Sequence, residues 1–153
     1  MMSNIILCPT RGGKESYPNQ DRAIALAKER GAEVLFLYIT DVKFLDLTAA
    51  PILVDIETEM DEMGEFMLAM AQERAEKASV KASTLVHRGH FREVLIDVLE
   101  ERQIDTVVLG ISAGGTGVVT AEYIRELASE ISDKTGVEFV VVHQGEIMNT
   151  YKP

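Results

Sequence analysis

Short, unbroken apolar runs alternate along this chain with stretches in which apolar residues return every three or four positions. Ile5 to Cys8 is such a run, stopped by Pro9, and Val34 to Ile39 is a second. A run apolar at every position predicts a strand buried on both faces, since successive side chains point to opposite sides. Ala82 to Val86, Thr106 to Leu109 and Phe139 to Val142 predict three more strands. The helical period predicts helices from about Pro18 to Arg30, closed by Gly31, and from Phe91 to Arg102. It predicts another from Thr120 to Lys134, ending before Gly136. Phe44 to Val54, with Pro51, is expected to be irregular. Ile56 to Ala78 follows as a helix whose Met60, Met63, Met67 and Met70 form a flexible core face.

Strand and helix alternate with no Asn-Gly or Asp-Gly hairpin between strands, which predicts parallel pairing through right-handed crossovers. The fold class is α/β, doubly wound, with helices on both faces of the sheet. Ligands of such sheets bind beyond the carboxyl ends of the strands where the strand order reverses. Two segments then share one rim: Pro9-Thr10-Arg11-Gly12-Gly13, and Gly110 to Gly117. Glycines between a strand and a helix start let the backbone approach an anion closely, and free N–H groups with the helix dipole favour a phosphate.

Four local patterns carry a resemblance. Ile5-Ile6-Leu7-Cys8-Pro9-Thr10, Leu37-Tyr38-Ile39-Thr40-Asp41, Val86-His87-Arg88-Gly89 followed by Val94-Leu95-Ile96, and Ile104 to Gly110 stand in an order and spacing similar to the universal stress protein family. The resemblance covers almost the whole chain. It implies a stress-response protein with a five-stranded parallel sheet in the order 3-2-1-4-5, paired into a homodimer through the last strand, Phe139 to His143. One branch of that family binds ATP and another binds no nucleotide.

The nucleotide-binding branch carries Gly-x-x-Gly, followed at a fixed spacing by Gly-Ser or Gly-Thr. Here Gly110 is present, but Ala113 takes the second position and Tyr123-Ile124 stand where the second pair belongs. Either a shortened loop of Gly114, Gly115, Thr116 and Gly117 holds phosphate closer in, or the phosphates are lost. Arg11 also departs from the family's usual aspartate; its guanidinium suits an oxyanion or a neighbouring carboxylate. The candidate nucleotide-binding residues are therefore Pro9, Thr10, Arg11, Ile39, Gly110, Gly114, Gly115, Thr116, Gly117 and Thr120. The expected function is a dimeric regulatory or scaffold module with a degenerate nucleotide site. The alternative is an adenine-nucleotide sensor taking ATP with magnesium.

Composition narrows the partners. The chain has 153 residues, 46% of them apolar and 26% charged, which fits one domain over residues 1–145 with a polar tail, 146–153, that frays. Twenty-five acidic against fifteen basic side chains give a net charge of −10, which repels nucleic acid and anionic membranes. A single cysteine, Cys8, reads as a small core residue, and no basic leader precedes the first apolar run, so the expected location is cytoplasmic.

Two enzyme readings stand as lesser alternatives. His87-Arg88-Gly89-His90 resembles the phosphate-binding signature of nucleotidylyltransferases, in which imidazoles stabilise charge on a transferred phosphate. Gly110-Ile111-Ser112-Ala113-Gly114 matches a nucleophile elbow, with Asp133 and His143 following in hydrolase order. No metal site is expected, because the three histidines are scattered and the cysteine has no partner.

Overall fold

Side chains along β1 (Ile5–Pro9) alternate between two separate apolar layers, which explains why the run contains no polar position. The computed structural model describes residues 4–40, 50–111 and 121–152. After β1 come a short 3-10 turn (Lys14–Ser16), α1 (Tyr17–Arg30), β2 (Glu33–Thr40), α2 (Ala50–Lys77), β3 (Ala82–Arg88) and α3 (Phe91–Glu101). Then follow β4 (Thr106–Ile111), α4 (Ala121–Thr135), β5 (Glu138–His143) and β6 (Glu146–Tyr151). The sheet order is β3-β2-β1-β4-β5-β6, parallel throughout except that β6 runs antiparallel to β5.

One layer packs Leu95, Val98, Leu127 and Ile131 of α3 and α4 on Leu7, Leu35, Val107 and Phe139. The other packs Ala23, Ile24 and Ala27 of α1 and Leu68, Ala71 and Ala75 of α2 on Ile6, Cys8, Phe36 and Val140. Cys8 lies wholly in this second layer, and burial pushes its thiol up to about 12, so it is a core residue with no nucleophilic character.

Three expectations are corrected. The tail expected to fray forms β6, because Gln144 (φ 50) and Gly145 (φ 84) both take the left-handed conformation that a two-residue hairpin needs. The sheet therefore has six strands, and β6 covers the free side of β5. Edge pairing of two subunits through Phe139 to His143 is thereby closed off, since those backbone groups are already bonded within the chain.

The second helix starts at Ala50, inside the segment expected to be irregular; residues 41–49 lie outside the described residues. Its methionines are not the core face. Met63 and Met70 are exposed, Met60 and Met67 half-buried, and the buried face is Gly64, Leu68, Ala71 and Ala75. Small residues there let the helix sit close to the sheet: a Cβ on Gly64 would come within 2.5 Å of the Tyr38 ring.

The opposite end of the sheet is pinned by charge. Arg30 Nη1, at the end of α1, donates to Thr106 Oγ1 (3.0 Å) and to Glu138 Oε1 (2.8 Å), and Thr106 Oγ1 donates to the same carboxylate (3.1 Å). Partial burial works to raise the Glu138 pKa, but the bonds from Arg30 and Thr106 and the charges of Arg30 and Lys152 outweigh it and hold the carboxyl below its usual range. A depressed carboxyl contributes stability above its unfolded pKa and loses it as the pH falls through the folded one. Glu138→Gln should therefore cost about 1–2 kcal/mol in urea denaturation at pH 7, with the difference from the parent shrinking toward zero below about pH 4.

Candidate functional site

The first strand pairs with its two neighbours unequally. Against β2 it stays in register from Ile5↔Glu33 to Pro9↔Leu37, and Thr10 N–H continues the ladder to Leu37 O at 2.9 Å. Against β4 the paired residues are only Ile6↔Thr106 and Leu7↔Val107. Carried to the rim, that register sets Thr10 beside Gly110, but the strands part before reaching it. Here the order reverses, with β2 and β3 on one side and β4 to β6 on the other, so this parting is the topological switch point.

The first turns of α1 straddle the gap. Gln20, 1% exposed, donates from Nε2 to Thr10 Oγ1 at 2.9 Å, and Gly12 N–H donates to the same oxygen at 3.1 Å. With both lone pairs of Thr10 Oγ1 accepting, its hydroxyl proton is directed outward as a donor. Gln20 Oε1 is buried and has no partner among the described residues. Neighbouring Asn19 reaches the other side of the gap: its Oδ1 accepts from Gly145 N–H at 2.9 Å, while its Nδ2 would stand 2.5 Å from a Cβ on Gly110. Arg22 Nε completes the link by donating to Gly145 O at 2.6 Å.

Glycine at 110 thus leaves room for the Asn19 amide. Glycine at 12 has a positive φ of 86° and lies against the Met67 side chain of α2, so a larger residue is excluded there on both counts. Arg11 is exposed and forms no hydrogen bond or ion pair with the described residues, which leaves its guanidinium facing solvent at the rim. Pro9 and Ile39 are half-buried at the ends of their strands, and Ile39 leans on the α3/α4 layer. Gly114, Gly115, Thr116, Gly117 and Thr120 lie outside the described residues. Of the predicted site, then, Pro9, Thr10, Arg11, Ile39 and Gly110 come together along three adjacent strand ends.

Sequence reasoning missed Asn19 and Gln20, and it missed the lock next to Ile39. Thr40 Oγ1 donates to Asp61 Oδ1 at 2.9 Å, and Arg88 reaches Asp61 Oδ2 from Nε at 2.8 Å and Nη2 at 2.6 Å. Partial burial tends to raise the Asp61 pKa; the Arg88 and Thr40 bonds and the Arg88 charge prevail and keep it low. The lock ties α2 to the ends of β2 and β3 and fixes the outer wall of the rim.

The described residues of the two enzyme constellations lie apart from one another or from the gap. His87 and His90 flank the end of β3, an edge strand separated from β1 by β2. Asp133 lies near the end of α4, about 18 Å along the axis from its first turn, whereas His143 ends β5 at the rim. Ser112 lies outside the described residues. Tyr123 and Ile124 fall inside α4, and Ile124 is 3% exposed in the core, so the place of the family's second glycine pair is filled by helix and core packing.

The sequence model of the universal stress protein family matches residues 2–121. The chain belongs to that family. Universal stress protein MJ0531 of Methanocaldococcus jannaschii is 32% identical over 114 residues, covering 74% of this chain and 66% of that protein. Among solved structures, the universal stress protein UspA from Lactobacillus plantarum matches at TM-score 0.73 and 19% identity, over 93% of this chain and 99% of its own. A universal stress protein in complex with cAMP matches at TM-score 0.64 and 20% identity, over 92% and 97%. At these identities the structural likeness is one of fold. The family match ends at the start of α4, so β5 and β6, which supply the Gly145 contact to Asn19, lie beyond it.

If Asn19 is what forbids a side chain at 110, the two positions are coupled. Gly110→Ala is expected to destabilise by about 1–3 kcal/mol, as overpacking does, and by less than half of that in an Asn19→Ala background. A double-mutant cycle in urea reads this directly; equal costs in both backgrounds would mean that another contact dictates the glycine.

Proposed function

We propose that this chain is a non-catalytic regulatory module of the stress-response type whose rim between β1 and β4 binds the nucleoside end of an adenine mononucleotide. The observation that carries the reading is the parting of β1 from β4 above Leu7 and Val107, which leaves Thr10 and Gly110 flanking a gap at the switch point. One polar group at that gap suits adenine: Thr10 offers a hydroxyl donor, and an adenine edge presents ring acceptors.

The phosphate end departs from the family's pattern. The family's glycine signature is broken at Ala113 and again at Tyr123-Ile124, which are helical. Arg11, which has no partner among the described residues, stands at the rim to meet a single phosphate group. This favours AMP or cAMP over ATP with magnesium, and it is in keeping with a relative solved in complex with cAMP.

Thermal unfolding with AMP, cAMP, GMP and ATP–magnesium tests the reading. A ligand at one hundred times its Kd should add about 2.7 kcal/mol of stability. The expected result is a rise in Tm with AMP or cAMP at least as large as with ATP–magnesium, and a smaller rise with GMP. Thr10→Val should weaken the response to all adenine ligands, and Arg11→Ala should weaken it for AMP while leaving adenosine unchanged. No rise with any nucleotide would leave a scaffold without a ligand site, and a rise with ATP–magnesium alone would point to a complete phosphate loop.

A further inference from the structure

The second helix is built against the grain of an amphipathic surface helix, which turns large apolar side chains inward and polar ones outward. Inward it presents Gly64, Leu68, Ala71 and Ala75. Outward it presents Met63, Phe66 and Met70, which are 56%, 64% and 36% exposed. These three recur at helical spacing and lie on one stripe, turned roughly 110–170° away from the centre of the buried face. Half of the large exposed apolar side chains among the described residues fall within these eight positions of one helix. Such a stripe adds nothing to the core and works against solubility, so its place in the sequence calls for a partner.

The surroundings of the stripe are acidic. Glu59, Glu62, Glu65, Glu73 and Glu76 are all exposed on the same helix. Of the basic residues of its last turns, Lys77 pairs with Glu73 on the same helix at 3.1 Å, while Arg74 turns to Asp21 of α1 and lies over the Tyr17 ring, 4.1 Å from its centre. The chain as a whole carries −10, so a second copy would approach this face against repulsion of both local and global charge. We infer that the outer face of α2 is a docking surface for a basic amphipathic helix, whose apolar side covers Met63, Phe66 and Met70 and whose lysines or arginines meet the flanking glutamates. Methionine suits the role, because its flexible thioether chain adapts to differently shaped apolar partners.

The test uses the full chain and a fluorescein-labelled peptide with leucine on one helical face and lysine on the other, followed by fluorescence anisotropy. The expected outcome is saturable binding that weakens at least about tenfold in Phe66→Ser and in the triple reversal Glu62→Lys, Glu65→Lys, Glu73→Lys, as loss of a central anchor and of charge complementarity should. Ile147→Ser with Met148→Ser, on the other exposed apolar patch, should leave binding unchanged. A peptide with glutamate in place of lysine should not bind. Phe66 and the glutamates are exposed, so unchanged melting of the variants separates lost docking from lost folding. The inference is overturned if the lysine peptide does not saturate, or if it binds Phe66→Ser as well as the parent. It is likewise overturned if light scattering shows the parent to be a dimer that Phe66→Ser dissociates, since the stripe would then be covered by a second copy.

Discussion

Two neighbouring amides on one helix turn hold the rim of this protein together. Gln20 fastens to the end of β1 through Thr10, and Asn19 fastens to the β5–β6 turn through Gly145 while lying against Gly110 of β4. Between them they span the place where β1 and β4 cease to pair. Without such a bridge the parting would be an open split in the sheet; with it, the gap has a fixed floor of polar groups. Gln20 Oε1 is buried and left without a partner among the described residues. A buried acceptor in that state carries a desolvation penalty.

The same bridge explains why a sixth strand matters to the site. The turn at Gln144-Gly145 brings the β6 hairpin back over the rim, where Gly145 receives Asn19 and Arg22 from α1. The hairpin therefore closes the exposed side of β5 and steadies the helix that frames the gap. At the other end of the sheet, Arg30, Thr106, Glu138 and Lys152 tie α1, β4, β5 and the end of the chain into one charged cluster. The helix α1 is thus anchored at both ends, by amides at the rim and by an ion pair at the base.

Much of this fold was legible because burial on both faces leaves a plain mark. Ile5 to Cys8 and Val34 to Ile39 read as strands since neither layer tolerates a polar side chain there. Strand β6 was not legible: it is an edge strand with exposed Ile147 and Met148 among polar neighbours, and its turn is Gln-Gly instead of Asn-Gly. The methionines of α2 misled for a different reason. Residues spaced by three and four mark one face of a helix, but the period does not say which face is inward. Gly64, Leu68 and two alanines at the same spacing hold the inner one, and at Gly64 the Tyr38 ring leaves no room for a side chain.

For the site, Pro9, Thr10 and Gly110 could be found from the strand endings, but the reason for Gly110 could not. Its glycine suggested backbone approach to a phosphate, whereas the contact is with Asn19, a residue ninety-one positions earlier that no local pattern singles out. The measurement that bears most directly on the account is an amide NMR titration with AMP. The expected result is that the largest shifts fall on Thr10, Gly12, Gly13 and Gly110, with the side-chain amides of Asn19 and Gln20 among them. Shifts confined to other parts of the chain, or none at saturating AMP, would contradict it.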